Sequence, residues 1–176
     1  MNILLINHYA GSPKHGMEFR PYYLAQEWVK AGHHVRIVAS DFSHVRSHQP
    51  RRTSDASTTW HESIDGIDYQ WIATPEYKGN GVSRVRNIAA FLARIFFASR
   101  QITEDFKPDA VIASSTYPMD IWVARRIAKL ANAKLVFEVH DLWPLSPMEL
   151  GGLSKWHPFI MWVQWAEDKA YRVSDK

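Results

Sequence analysis

The stretch Leu135-Val-Phe-Glu-Val-His-Asp-Leu-Trp-Pro-Leu-Ser-Pro147 opens as a short apolar run and ends in a loop rich in Pro and Trp. A run of this length and composition predicts a buried parallel strand. The titratable pair His140-Asp141 follows the apolar part directly. In open α/β sheets, ligands bind outside the carboxyl ends of the strands. The pair therefore marks a candidate site, provided the rest of the chain builds such a sheet.

Working outward, the pattern is one of alternating strands and helices. Towards the N-terminus, Ala110–Ala113 reads as another buried strand, and Ser114-Ser115-Thr116 as an N-cap leading through Pro118 into a helix that ends near Leu130. Lys134–Val139 is the strand of the opening stretch. At the far end, Ile3–Asn7 predicts a first strand, about Phe19–Ala31 a helix stopped by Gly32, and His34–Ala39 a second strand. Such a β-loop-α-β unit makes a parallel pair. Thr58–Ile64 and Ile67–Ala73 flank Asp65-Gly66 and predict a hairpin. Ser40–Ser57 is polar and irregular and predicts a mobile loop, with a second, turn-rich connection at Pro75–Gly81. A last helix is expected over about Trp156–Tyr171. The sum is an α/β fold, Rossmann-like and doubly wound, with a mostly parallel sheet and helices on both faces. The right-handed crossover rule then brings Asn7-His8, Ser40-Asp41, Ser114-Ser115-Thr116 and His140-Asp141 to one edge.

Bulk properties narrow the function classes. The 176 residues suffice for one domain with a real core. The formal charge of +3 is too small to argue for nucleic acid. Without cysteine there is no disulfide framework, thiolate metal site or Cys nucleophile. The nine His lack metal-ligand spacing such as H-E-x-x-H, and no metal or cofactor is expected. The N-terminus carries no signal-peptide pattern, and no segment reaches the ~18 apolar residues of a membrane span.

The long helical pattern Ser83–Phe106 places Val85, Ile88, Phe91, Leu92, Ile95, Phe96, Ser99, Ile102 and Phe106 on one stripe. That stripe predicts core packing. Phe97 falls opposite it, beside Arg86 and Arg100, in the pattern of a surface resting on an anionic membrane. Of eight Trp, four fall in Trp143–Trp165, where core packing and interfacial anchoring are both open. Gly11-Ser-Pro-Lys-His-Gly16 leads to a helix N-terminus, where backbone N–H groups can hold an anion. It departs from G-x-G-x-x-G and lacks the Lys-Ser/Thr of a P-loop. His140 is a candidate base or donor, and Glu138, a carboxylate in the same run, requires a partner if buried.

The opening Asn-Ile-Leu-Leu-Ile-Asn-His-Tyr, the segment Gly16-Met17-Glu18-Phe19-Arg20 and the segment Ala31-Gly32-His33-His34-Val35 resemble the N-terminal domain of GT-B fold, family 4 glycosyltransferases. Phe137-Glu-Val-His-Asp-Leu-Trp-Pro144 resembles a subgroup of bacterial O-antigen, lipopolysaccharide and capsule assembly that includes L-fucosamine transferases. The resemblance spans the chain. It implies an acceptor-side Rossmann-like domain over residues 1–176, forming one half of a GT-B fold whose nucleotide-sugar-binding half lies outside this chain. It implies retention of configuration, no metal, a nucleotide-sugar donor, a polyprenyl-diphosphate-linked saccharide acceptor and a cytoplasmic protein attached to the inner membrane. The adjacent Gly-Gly of the family's first loop reads His15-Gly16 here. The candidate set is then His140 and Asp141 as catalytic residues, with His8, Gly11, His15, Gly16, Glu18, Arg20, Ser114, Ser115 and Thr116 as substrate-binding residues. Arg86, Phe97 and Arg100 form the expected membrane surface. A stand-alone Rossmann-like nucleotide-binding domain and a non-enzymatic membrane-surface adaptor are the alternatives.

Overall fold

A computed structural model describes residues 1–51, 58–79 and 81–176. Its six strands are β1 (Asn2–Ile6), β2 (His34–Ser40), β3 (Thr59–Ile64), β4 (Ile67–Ile72), β5 (Ala110–Ala113) and β6 (Lys134–Phe137). They form one sheet in the order β3-β4-β2-β1-β5-β6, parallel throughout except for β3 against β4. The helices are α1 (Phe19–Lys30), α2 (Val82–Phe106), α3 (Ile121–Ala131), α4 (Leu145–Glu149) and α5 (Pro158–Val173).

The period of two along a strand explains the two-sided core. In β1, Ile3 and Leu5 join Val35, Ile37, Tyr69 and Trp71 under Tyr22 and Ala25 of α1. Leu4 and Ile6 face the other way, into a cluster with Ile88, Phe91 and Ile95 of α2, Ile127 of α3 and Val163 of α5. A strand covered on both faces has no polar side to show, so the run reads as continuously apolar. The hairpin turn has Asp65 at φ 51° and Gly66 at φ 81°, the left-handed pair that a tight two-residue turn demands. The free edge of β6 is closed by the tail: Phe137 N donates to Lys176 O at 3.0 Å and Asp175 N to Leu135 O at 2.8 Å.

Several expectations shift. The strand expected over Lys134–Val139 ends at Phe137, with one further rung from Glu138 N to Ala113 O at 2.9 Å. The residues expected to N-cap α3 do not: a 3-10 turn over Pro118–Asp120 comes first, and the buried Asp120 carboxylate accepts from Ser115 N at 2.8 Å. On α2, the buried stripe is Asn87, Ile88, Phe91, Leu92, Ile95, Ser99 and Ile102. Val85 and Phe96 lie at its exposed margins. In the described part of the expected mobile loop, Ser40 still belongs to β2 and residues 41–51 are irregular but anchored. Arg46 is buried there, its Nη2 donating to Ser40 O and its guanidinium 5.1 Å above the Trp71 ring. The rest of that loop, and Asn80 in the second connection, lie outside the described residues. No described helix is long and apolar enough to cross a membrane.

Candidate functional site

At the carboxyl edge of the sheet, β1, β5 and β6 end side by side, and their next residues meet. Glu138 and His140 are two apart, so the extended backbone sends both to the same side. Ser114, one residue past β5, lies between them. Its hydroxyl donates to Glu138 Oε2 at 2.7 Å and is 3.0 Å from His140 Nε2. The two partners are themselves 3.3 Å apart. Asn7, one residue past β1, donates from Nδ2 to the Ser114 carbonyl and accepts from Tyr9 N at 3.1 Å. The fourth element is α1: Arg20 Nε donates to Glu138 Oε1 at 2.8 Å, tying the helix start to the end of β6.

The electrostatics follow from this geometry. Burial pushes the Glu138 carboxyl up, but hydrogen bonds from His140, Ser114 and Arg20 outweigh it and bring it down to about 2. His140 is raised above its ordinary value, chiefly by its hydrogen bond to Glu138; burial opposes, while the charges of Glu138 and Glu18 add to the rise and that of Arg20 opposes. Both side chains are largely buried, yet Arg20 is more than half exposed. The result is an imidazole whose charged form is favoured by a neighbouring carboxylate, with the Arg20 cation at the solvent rim. Such a constellation donates hydrogen bonds to anionic or hydroxyl-bearing ligands. The raised pKa favours the donor role of His140 over that of a proton acceptor.

The other sequence candidates divide by burial. Asp141 is exposed and lies beyond the cluster, its carbonyl accepting from Trp143 N at 2.9 Å. Thr116 is half-buried in the recess beside His140 and Trp143. Glu18 is half-buried at the start of α1, close enough to raise His140. His8 is fully buried, its Nδ1 bonded to the Tyr117 hydroxyl and its ring 4.5 Å from that of Phe91. Burial lowers it to about 3 and makes it a neutral core residue. Ser115 is also buried, its hydroxyl accepting from His8 N at 3.1 Å. These two hold the β1 and β5 ends together and are almost wholly closed to solvent.

His15 turns away from the cluster towards the hairpin. Its Nδ1 is 3.0 Å from Ser12 Oγ and its ring edge meets Trp71 at 5.1 Å. Burial lowers it to about 4, against the pull of Glu62. Gly11 is required by packing: a Cβ there would lie 1.8 Å from Met17 O and 2.8 Å from Gly16 O. Gly16 has φ +66° and its added Cβ would meet Ser47 Oγ at 2.8 Å. The loop is thus a closed cradle, with Gly11 N donating to Glu18 O at 3.2 Å. Arg86, Phe97 and Arg100 are all exposed on α2. Among the described residues, no three His, Asp or Glu side chains converge at metal-binding distance.

Sequence reasoning left Glu138 without a partner and Asn7 without a role. The spacing of two between Glu138 and His140 was the available signal for the first. Nothing local signals that Arg20, 118 residues before Glu138, completes the group.

A comparison with curated proteins finds no match. A family profile described as a glycosyl transferase 4-like domain matches residues 15–176, most of the chain, and the chain belongs to that family.

Proposed function

We propose that this member of the glycosyl transferase 4-like family is the acceptor-side half of a retaining glycosyltransferase. In this reading it moves a sugar from a nucleotide-sugar donor to a polyprenyl-diphosphate-linked saccharide, within O-antigen or capsule assembly of the kind served by L-fucosamine transferases. The observation that carries the reading is the cluster of Arg20, Ser114, Glu138 and His140 at the carboxyl edge of the sheet. Glu138 favours the imidazolium of His140, which then donates to a hydroxyl of the donor sugar. Arg20 faces the same opening and suits a polar group of the acceptor, as does Glu18. Asp141, exposed next to His140, orients the acceptor hydroxyl. The loop from Gly11 to Gly16 borders the donor phosphates.

Stabilising the leaving diphosphate falls to a nucleotide-sugar-binding half beyond these residues, so the chain alone binds acceptor without turnover. The reading sets the protein in the cytoplasm at the inner-membrane surface, with Arg86, Phe97 and Arg100 on its membrane side. Transfer of radiolabelled sugar by the intact enzyme tests it. Loss of one preorganised donor costs on the order of 10²-fold in kcat, so His140→Ala is expected to fall by about that factor. Unchanged turnover removes His140, and with it the reading of the cluster.

A further inference from the structure

Asp120, the last residue of the 3-10 turn before α3, is fully buried. Its Oδ2 accepts from Ser115 N at 2.8 Å, while Oδ1 is buried without a hydrogen-bond partner. Burial pushes the carboxyl up to about 7, against hydrogen bonds from Ser115 and the charge of His140. A buried carboxylate with half its accepting capacity unfilled costs stability. Asp120 does not line the recess beside His140, which is walled instead by Ser115, Thr116, Tyr117, His140 and Glu167 of α5. Tyr117 and His140 are the titratable groups that share its field. Any influence of Asp120 on a ligand therefore passes through a neighbour.

That neighbour is Ser114. The peptide joining Ser114 to Ser115 is held at both of its polar ends by side chains from separate elements. Asn7, just past β1, donates to its carbonyl, and Asp120 accepts from its N–H. The peptide before it is tied as well, since Ser114 N donates to Ile6 O at 2.9 Å. Peptide units are planar, so fixing the units on both sides of Ser114 fixes its two backbone dihedrals and the direction of its Cβ. That direction delivers the hydroxyl to Glu138 Oε2 at 2.7 Å and His140 Nε2 at 3.0 Å. The hydroxyl gives its one proton to Glu138, which leaves its lone pairs to receive Nε2–H of His140. Removing the Asp120 acceptor orphans Ser115 N and frees the peptide to tilt about its remaining bond to Asn7. A group that meets substrate has to be held within about 0.5 Å of its working position.

We infer that Asp120 is a positioning residue for the His140 site: by holding the Ser114–Ser115 peptide it aims the Ser114 hydroxyl at His140 and Glu138, and so fixes the imidazole that meets the substrate. The inference rests on the proposed transferase reading for its reaction, and on the cluster alone for its geometry.

The test compares Asp120→Ala with Asp120→Asn, each alone and combined with Ser114→Ala. Both substitutions remove the charge, and only Asp120→Asn keeps an oxygen for Ser115 N, so their difference reads the held peptide. In the chain, ¹³C–¹H NMR of the imidazole Cε1 follows His140. Its pKa is expected to lie about half a unit lower in Asp120→Ala than in Asp120→Asn, the worth of one weakened hydrogen bond. That gap is expected to close in the Ser114→Ala background. In the intact enzyme, kcat for sugar transfer is expected to be about 10- to 100-fold lower in Asp120→Ala than in Asp120→Asn, with KM nearly unchanged. Thermal midpoints establish folding, and where Asp120→Ala does not fold, Asp120→Leu, which fills the space, takes its place. The same His140 titration in the two variants overturns the proposal, as does a gap that survives Ser114→Ala, or an equal kcat in both. Loss of folding in Asp120→Ala and Asp120→Leu alike, with Asp120→Asn folded, assigns Asp120 to stability alone and overturns it too. If the intact wild type transfers no sugar, the transferase reading falls by itself, and the His140 titrations still decide whether Asp120 aims Ser114.

Discussion

Glu138→Gln tests what the carboxylate does for its neighbours, because the substitution keeps size while removing the charge and turning one accepting oxygen into an N–H donor. The carboxyl falls from 4.5 to about 2 in the folded protein. At ~1.4 kcal/mol per unit, this corresponds to about 3 kcal/mol of stability at neutral pH. The sign differs for the two partners. Glu138 is depressed, so its contribution is present above 4.5 and is lost as pH falls through about 2. His140 is raised, so its contribution is complete below 6.5 and is lost as pH rises through its elevated folded value. The stability difference between wild type and Glu138→Gln is therefore largest between 4.5 and 6.5 and declines on both sides. Urea unfolding at a series of pH values measures it, and ¹³C–¹H NMR of the imidazole Cε1 follows His140. With the carboxylate gone, burial and Arg20 act against the remaining Glu18, and the His140 pKa falls. A flat difference across pH, or a His140 pKa that does not fall, refutes the coupling and removes the argument that His140 acts as a donor.

Three further outcomes follow from burial and packing. His8 is charged readily when unfolded but only below about 3 when folded, so stability should drop by several kcal/mol as pH falls from 6.5 towards 3; in urea titrations, His8→Gln should show a shallower slope over that window. Gly11→Ala drives a Cβ into Met17 O and should open the 11–18 loop at a cost of ~2 kcal/mol or more, read as a lowered thermal midpoint. Ile95→Ala empties a fully buried site on the inner face of α2 and should cost ~2–5 kcal/mol in chemical denaturation, whereas Phe97→Ala, exposed on the opposite face of the helix, should cost under ~0.5 kcal/mol.

How far the fold was legible depends on how local each cause is. The hairpin at Asp65-Gly66 was readable because two residues set their own backbone angles. The start of α1 around Pro21 and its stop at Gly32, which has φ +84°, were readable for the same reason. The end of β6 was misplaced by two residues. Val139 continues the apolar pattern, but the ladder to β5 stops where β5 itself stops, at Ala113. The cap of α3 was misread because the acceptor is Asp120, which reaches back to Ser115 N.

The sequence by itself determined the α/β alternation, the single edge where strand ends gather, and His140 as a residue of interest there. Periodicity and turn chemistry act over a few residues, so they survive without knowledge of contacts. Only the tertiary structure decided which gathered residues are buried and which join in one cluster. It buried His8 and Ser115, turned His15 to the hairpin, and joined Arg20 to Glu138 across 118 residues. It also brought Phe96 of α2 under Arg126 of α3. Those outcomes depend on which helix covers which strand end, a matter of packing between distant segments that no local spacing encodes.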